Sequence, residues 1–320
     1  MYACIDLGSN SFHLLIGEWE AGRIRIIERC SERVQLGAAV GSSGVISTAA
    51  FARGLLCLQH FKILMDQYPL QQYWALGTNT FRVTANADDF IVSAKKIGVD
   101  ISIISGVQEA VLIYAGVITM LPLADAHRLV IDIGGGSTEV IVGKMHARLL
   151  TESLPIGSVA WRDQFFNNDL AQVPELEQRM DAAATAAKQV FDGFAPAIRN
   201  LGWSEPYASS GTVKMLAAIC EYEGYGIARI SLQALQELKT KLAACIANCT
   251  ELAVVKERRR DLLLPGWSVL VGLMQSYGIE SIEFSATALR EGMLDFMVKN
   301  EKTLEAMAQS NLPDVSYANK

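Results

Sequence analysis

The chain lacks the marks of several common protein classes. Basic residues are not in excess: 28 Lys and Arg stand against 34 Asp and Glu, for a net charge of −6. That balance excludes a protein gripping DNA or RNA through overall charge, so a polyanionic ligand must be held by a local site. Cysteine is scarce, with 6 in 320 residues and no paired spacing, which reads as reduced thiols in a cytoplasmic protein. Cys245 and Cys249 share a helix-like stretch with no histidine near them in sequence, so zinc is not expected. The start, Met1-Tyr2-Ala3-Cys4-Ile5-Asp6, reaches an acid at once with no basic n-region, and no targeting segment is expected. The longest apolar stretches, Val111 to Ala124 and Leu262 to Met274, each contain a proline and are too short for a bilayer. What remains is a composition 51% hydrophobic and 19% charged, which suffices for packed cores. A chain of this length suggests about two domains.

One segment occurs twice. Ile5-Asp6-Leu7-Gly8-Ser9-Asn10-Ser11-Phe12-His13-Leu14-Leu15-Ile16-Gly17 aligns, 126 positions later, with Ile131-Asp132-Ile133-Gly134-Gly135-Gly136-Ser137-Thr138-Glu139-Val140-Ile141-Val142-Gly143, and five of the thirteen pairs are identical. Each copy reads as a strand ending in Asp, a tight Gly/Ser turn and an alternating second strand. The spacing is too long for a solenoid and suits two related domains facing each other across a cleft. Further strands are expected at 71–77, 100–104 and 281–284. Helices are expected at 47–68, 85–98, 109–121, 174–200, 231–254, 265–277 and 286–300. The alternation predicts α/β architecture.

The turns suggest chemistry. Glycine permits φ > 0 there and lets successive N–H groups point one way as an anion nest, to which Ser11, Ser137 and Thr138 add hydroxyls. Asp6 and Asp132, closing the preceding strands, would repel phosphate unless a divalent cation or a water stood between, and the doubled pattern suggests a phosphate–metal site. Three further segments follow strands. Ser209-Ser210-Gly211-Thr212-Val213-Lys214 suits a phosphate loop at a helix start. Gly77-Thr78-Asn79-Thr80-Phe81-Arg82 brings an arginine. Ser105-Gly106-Val107-Gln108-Glu109-Ala110 places Glu109 in a first helical turn, where the helix dipole alone would favour it. The run Arg258-Arg259-Arg260 suits either a solvated loop or phosphate recognition.

Taken together, Asp6 to Ser11, Gly77-Thr78 with Arg82 and Asn86, and Ser105-Gly106 with Glu109-Ala110 resemble the exopolyphosphatase/guanosine pentaphosphate phosphohydrolase family. So do Ile131 to Glu139, Ser209 to Thr212 and Ala288-Leu289-Arg290-Glu291-Gly292. The matches run in order over nearly the whole chain. The resemblance implies an actin-like ATPase fold of two ribonuclease-H-like domains, 1–120 and 121–300, with the site in the interdomain cleft. It leaves a polar tail at 301–320, from which a helix near 300–312 packs back on the first domain. The implied activity is release of terminal phosphate from polyphosphate, or of the 5′-phosphate from guanosine pentaphosphate, with Mg²⁺ or Mn²⁺. By position, Glu109 matches the general base. Asp6, Asp132 and Glu139 match acids near the metal. Ser9, Asn10, Ser11, Gly134, Gly135, Gly136, Ser137, Thr138, Gly211 and Thr212 match phosphate-binding loops, with Arg82, Lys214 and Arg259 as basic partners.

Departures from the family pattern are Gln108 for a second glutamate, Val111 for an arginine, Trp267 for a small residue and Ala286 for an aspartate. Val111, Trp267 and Ala286 keep a weakly active alarmone- or polyphosphate-binding regulator in view. A sugar- or acetate-type kinase on the same fold is the other alternative, and Glu109 argues against it. Counterparts of the helical C-terminal domains of longer members are not seen, so hydrolysis of long polyphosphate is expected to be distributive. The apolar helices of the second half suit a homodimer, and neither DNA nor a membrane is an expected partner.

Overall fold

A computed structural model describes residues 1–20, 23–122, 124–166 and 172–299. The chain forms two units, one running from Met1 to Leu123 and resuming at Thr287, the other Ala124–Ala286. Among the described residues, no helix is long and apolar enough to cross a membrane.

The first unit contains, in chain order, β1 (Tyr2–Leu7), β2 (Ser11–Glu20), β3 (Arg23–Arg33), α1 (Val40–Ser43), α2 (Thr48–Met65), β4 (Gln72–Gly77), α3 (Asn79–Val83), α4 (Ala87–Lys96), β5 (Ile101–Ile103) and α5 (Gly106–Ile118). Its sheet has the order β3-β2-β1-β4-β5, antiparallel over the first three strands and parallel over the rest. Alternating apolar residues of β1 and β2 bury Ile5, Leu7, Phe12 and Leu14 against Leu58 and Phe61 of α2 and Phe90 of α4. Phe90 meets Phe12, Phe51 and Phe81 edge-on, a geometry that aromatic quadrupoles favour.

The second unit contains β6 (His127–Ile133), β7 (Thr138–Lys144), β8 (Ala147–Leu154), α6 (Ser158–Phe165), α7 (Val173–Asp192), α8 (Ala195–Leu201), β9 (Glu205–Ser209), α9 (Gly211–Tyr222), β10 (Arg229–Ser231), α10 (Leu232–Ala247), a 3₁₀ turn (Glu257–Leu262), α11 (Leu263–Tyr277) and β11 (Ser281–Phe284). The sheet order is β10-β11-β9-β6-β7-β8. Read from β8, this repeats the first unit's plan with β10 added antiparallel at the edge. The duplicated segment forms the same hairpin in both units. Asp6 faces His13 in one, and Asp132 faces Glu139 in the other. Two sheets of this order, flanked by helices, form the α/β, actin-like ATPase fold of two ribonuclease-H-like units.

The chain returns to the first unit as α12 (Leu289–Lys299), which packs on α5, β1, β2 and β3. This helix was expected in the second domain, because its amphipathic pattern does not say which sheet it covers. The expected helix near 300–312 lies outside the described residues. The crossing of α12 with α5 is glycine on glycine. An added Cβ at Gly116 would lie 1.9 Å from the Ala288 carbonyl oxygen, and one at Gly292 only 1.8 Å from that of Leu112. Backbone cannot yield as a side chain can, so Gly292→Ala should cost the first unit about 4 kcal/mol and lower its Tm by roughly 10 °C. Gly41→Ala, with nothing within 4 Å, should leave the same thermal melt unchanged.

Three further differences have local causes. The helix expected over 174–200 breaks into α7 and α8, because Pro196 has no N–H and its ring clashes with the carbonyl of Asp192. The edge strands β3 and β8 were not expected, since charged residues interrupt their alternation. Trp267 is a core residue 2% exposed, its indole N–H donating to the Leu235 carbonyl at 2.7 Å. Val111 is likewise buried in α5, so both departures from the family pattern fill apolar cores.

Candidate functional site

In the first unit the turn Gly8-Ser9-Asn10 joins β1 to β2. The Ser9 carbonyl accepts from Gly37 N–H at 2.8 Å, and the Asn10 carbonyl accepts from Val34 and Gln35 N–H at 3.1 and 2.8 Å. A trans peptide aims its N–H opposite its carbonyl, so the N–H groups of Asn10 and Ser11 point away from residues 34–37, as an anion nest requires. Ser9 is fixed by the Thr80 hydroxyl, which donates to its Oγ at 2.8 Å. Asn10 donates from Nδ2 to Ser11 Oγ at 3.3 Å, while its buried Oδ1 has no hydrogen-bond partner. A buried orphan acceptor is costly unless a ligand donor, a water or a cation meets it.

Glu109 stands in the first turn of α5. Ser105 caps that helix: its Oγ accepts from Gln108 N–H at 3.1 Å, and the Gln108 side chain accepts from Ser105 N–H at 2.8 Å. Gln108, a departure from the family pattern, thus completes a capping box. Glu109 is 8% exposed. Its Oε2 accepts from Arg82 Nη1 at 2.8 Å, and Arg82 also donates to the Ile104 carbonyl at 2.9 Å. Burial pushes the Glu109 carboxyl above the usual carboxylate range, and the Arg82 cation opposes that rise. The structure therefore brings Arg82 to the candidate base. Asn86, quoted in the same motif, braces the chain instead, exchanging two hydrogen bonds with the Ile46 backbone at 2.8 and 2.9 Å.

In the second unit the glycine turn leans on the start of α6. The Gly134 carbonyl accepts from Ser158 N–H at 3.0 Å, and that of Gly135 accepts from Val159 and Ala160 N–H at 2.8 and 3.1 Å. With both carbonyls turned to α6, the N–H groups of Gly135 and Gly136 face the opposite way and form a second nest. Contrary to expectation, no glycine of either turn has φ in the left-handed region. Glycine is needed there for close approach: a Cβ at Gly134 would lie 2.9 Å from the Ser137 carbonyl oxygen. A Cβ on Gly157, which precedes α6, would lie 2.5 Å from the Gly135 carbonyl carbon. Thr138 is fully buried and its hydroxyl donates to the Ile156 carbonyl at 2.7 Å, so it ties down the turn.

Asp132 and Glu139 are cross-strand partners, and side chains directly opposite share one face of the sheet. Ser209 Oγ donates to Asp132, and Ser153 Oγ donates to Glu139 Oε1 at 2.8 Å. Like charges placed opposite destabilise a sheet unless a proton or cation intervenes. Among the described residues, no three His, Cys, Asp or Glu form a ready metal group. Mg²⁺ does not demand one, since it takes one or two carboxylates and fills the rest with water and substrate oxygens. The all-oxygen pair Asp132–Glu139 fits Mg²⁺ or Mn²⁺ on that ground.

The start of α9 differs from the phosphate loop expected there. Ser210 Oγ accepts from Thr212 and Val213 N–H, both at 3.1 Å, so those donors are already used. Ser210 itself has φ 121°, a conformation that side chains rarely adopt and that costs about 1–3 kcal/mol. Gly211 supports Arg259: an added Cβ would lie 2.0 Å from Arg259 Nη1 and 2.4 Å from Cζ, so the guanidinium rests on its Cα. Lys214, one turn along, is exposed. Sequence reasoning missed Gly157, an isolated glycine that carries no signal of its own, and it placed Ser210 in a phosphate loop where the structure shows a helix cap.

These features define a class first: an α/β protein of the actin-like ATPase fold in which each unit presents an acidic strand end and a polar nest. The chain belongs to the Ppx/GppA phosphatase family, whose profile matches residues 15–301. It is 35% identical over 308 residues to a guanosine-5′-triphosphate,3′-diphosphate pyrophosphatase of Aeromonas hydrophila, covering 96% of this chain and 61% of the relative. The chain thus spans about three fifths of that relative's length. An exopolyphosphatase from Cytophaga hutchinsonii superposes with a TM-score of 0.83 at 27% identity, over 93% of this chain and 98% of that one. The Aquifex aeolicus PPX-GPPA enzyme superposes with a TM-score of 0.71 at 25% identity, over 92% and 98%.

Proposed function

We propose that this chain hydrolyses phosphoric anhydrides, releasing terminal phosphate from inorganic polyphosphate with Glu109 as general base. The carrying observation is Glu109 itself, a nearly buried carboxylate raised in pKa and aimed by Arg82. In this reading Glu109 takes a proton from water as the water oxygen bonds to the terminal phosphorus. The bridging P–O bond breaks, and the shortened polymer leaves with the electron pair. The nests at Asn10-Ser11 and Gly135-Gly136, with Arg82, Lys214 and Arg259, bind and orient phosphoryl oxygens. Mg²⁺ or Mn²⁺ would be held by Asp132 and Glu139 of the second unit and would neutralise charge on the transferred group; Asp6 is the equivalent acid of the first unit. A second reading, removal of the 5′-phosphate from guanosine pentaphosphate, is favoured by the 35% identical relative. Phosphate release from polyphosphate, guanosine pentaphosphate and ATP, measured side by side, decides between them. Release from ATP alone would overturn both.

The pH profile tests the base. Glu109 acts deprotonated, so kcat falls as pH drops through its raised pKa, and the acid limb should lie above the ordinary glutamate value of about 4.3. Arg82→Met removes the opposing cation, so its limb should move to still higher pH. An unmoved limb would mean that the titrating group does not face Arg82.

A further inference from the structure

A third element joins the glycine turn to the basic turn of the second unit. The first residues of α6 hold the turn, through Ser158, Val159 and Ala160 N–H on the Gly134 and Gly135 carbonyls. One turn further along the same helix, Arg162 Nη1 donates to Asp261 Oδ2 at 2.8 Å. Asp261 lies in the 3₁₀ turn that carries Arg259. Arg162 is held from its other side as well, its Nε and Nη2 donating to Asp163 Oδ1 at 2.9 and 2.7 Å. The Arg162 side chain is 15% exposed. A guanidinium fixed by two carboxylates in this fork geometry has little freedom left. Beyond Asp261, the Arg259 guanidinium rests on Gly211 at the start of α9.

That placement runs against helix electrostatics. A helix N-terminus is the positive end of its dipole and favours anions, not a cation. The first turn of α9 contains no acidic residue. The missing Cβ of Gly211 leaves room for the guanidinium there, and the guanidinium is a group suited to phosphate.

We infer that Arg162 is a positioning residue: through Asp261 it sets Arg259 at a fixed distance from the Gly134–Gly136 nest, so that both meet one di- or triphosphate group. This rests on the reading of Arg259 and the nest as phosphate contacts. It gives α6 the role of a strut between them. The spacing it sets selects for adjacent phosphoryl groups over a lone phosphate.

Calorimetric titration of the full chain with methylenediphosphonate, a diphosphate analogue that cannot be hydrolysed, tests this in a double-mutant cycle. Arg259→Ala should weaken binding about tenfold, Arg162→Ala by nearly as much, and the double variant no further than Arg259→Ala. Orthophosphate binding should change less than twofold in Arg162→Ala. Arg162→Lys, which keeps the charge, should restore part of the loss. Asp261→Asn removes the charge from the same pair with an isosteric side chain, and should also weaken methylenediphosphonate binding, which keeps the test open if Arg162→Ala fails to fold. Weakening by Arg259→Ala but not by Arg162→Ala or Asp261→Asn overturns the strut. So does additive weakening in the double variant, or a lowered Tm with unchanged affinity. If Arg259→Ala binds as wild type does, the phosphate reading of Arg259 fails first, and the inference falls with it.

Discussion

Glu109→Gln is expected to lower kcat about 10²–10⁴-fold, the usual loss when a general base is removed, and to leave the fold intact. The substitution is isosteric, and the amide oxygen can still accept the Arg82 Nη1 hydrogen bond now made at 2.8 Å. Burial disfavours the charged carboxylate, so the neutral amide should keep or slightly raise the thermal midpoint. A stable, folded variant with little turnover is therefore the expected result, with KM changed far less than kcat. Stopped-time assays of phosphate release at saturating substrate, paired with a thermal melt, give both readings. Retention of more than half of wild-type turnover would mean that another group takes the proton.

Chelation should abolish turnover, and Mg²⁺ or Mn²⁺ should restore it. Asp132 and Glu139 face each other across β6 and β7, and facing carboxylates repel by about 0.2–1 kcal/mol. Asp132→Asn removes that repulsion. The metal-free variant should melt no lower than metal-free wild type, yet it should lose most of the stabilisation that added Mg²⁺ confers by mass action. Full activity in EDTA would sink the metal assignment. Equal Mg²⁺ stabilisation of wild type and Asp132→Asn would move the ligand elsewhere.

The hairpins were legible because both strands alternate and the turn residues recur in register, so Asp6 and Asp132 fell at equivalent places. Glu109 was legible through its offset from Ser105, which the capping box realises. The helices expected at 109–121 and 265–277 correspond to α5 and α11, the second of them buried along nearly its whole length. The charged edge strands were not legible, since β3 and β8 each pair on one side only and need no continuous apolar face. Nor was the grip of Arg162 on Asp261, 99 residues away. Nothing local distinguishes that arginine from a solvated one. The glycines of the turns were singled out, but for φ instead of for the backbone approach that excludes a Cβ.

The late return of α12 bears on how the chain comes to fold. The second unit is one continuous stretch, whereas the first is completed only when Leu289–Lys299 arrives. On a ribosome adding about 5–20 residues per second, the strands β1 to β3 wait roughly 10–50 s for the helix that packs on them. During that interval β1 and α5 lack the cover that α12 later gives them. The second unit can meanwhile close on contacts already synthesised. Synthesis thus finishes the second unit before the first, and the nascent first unit is the part of the molecule that most needs shielding from aggregation.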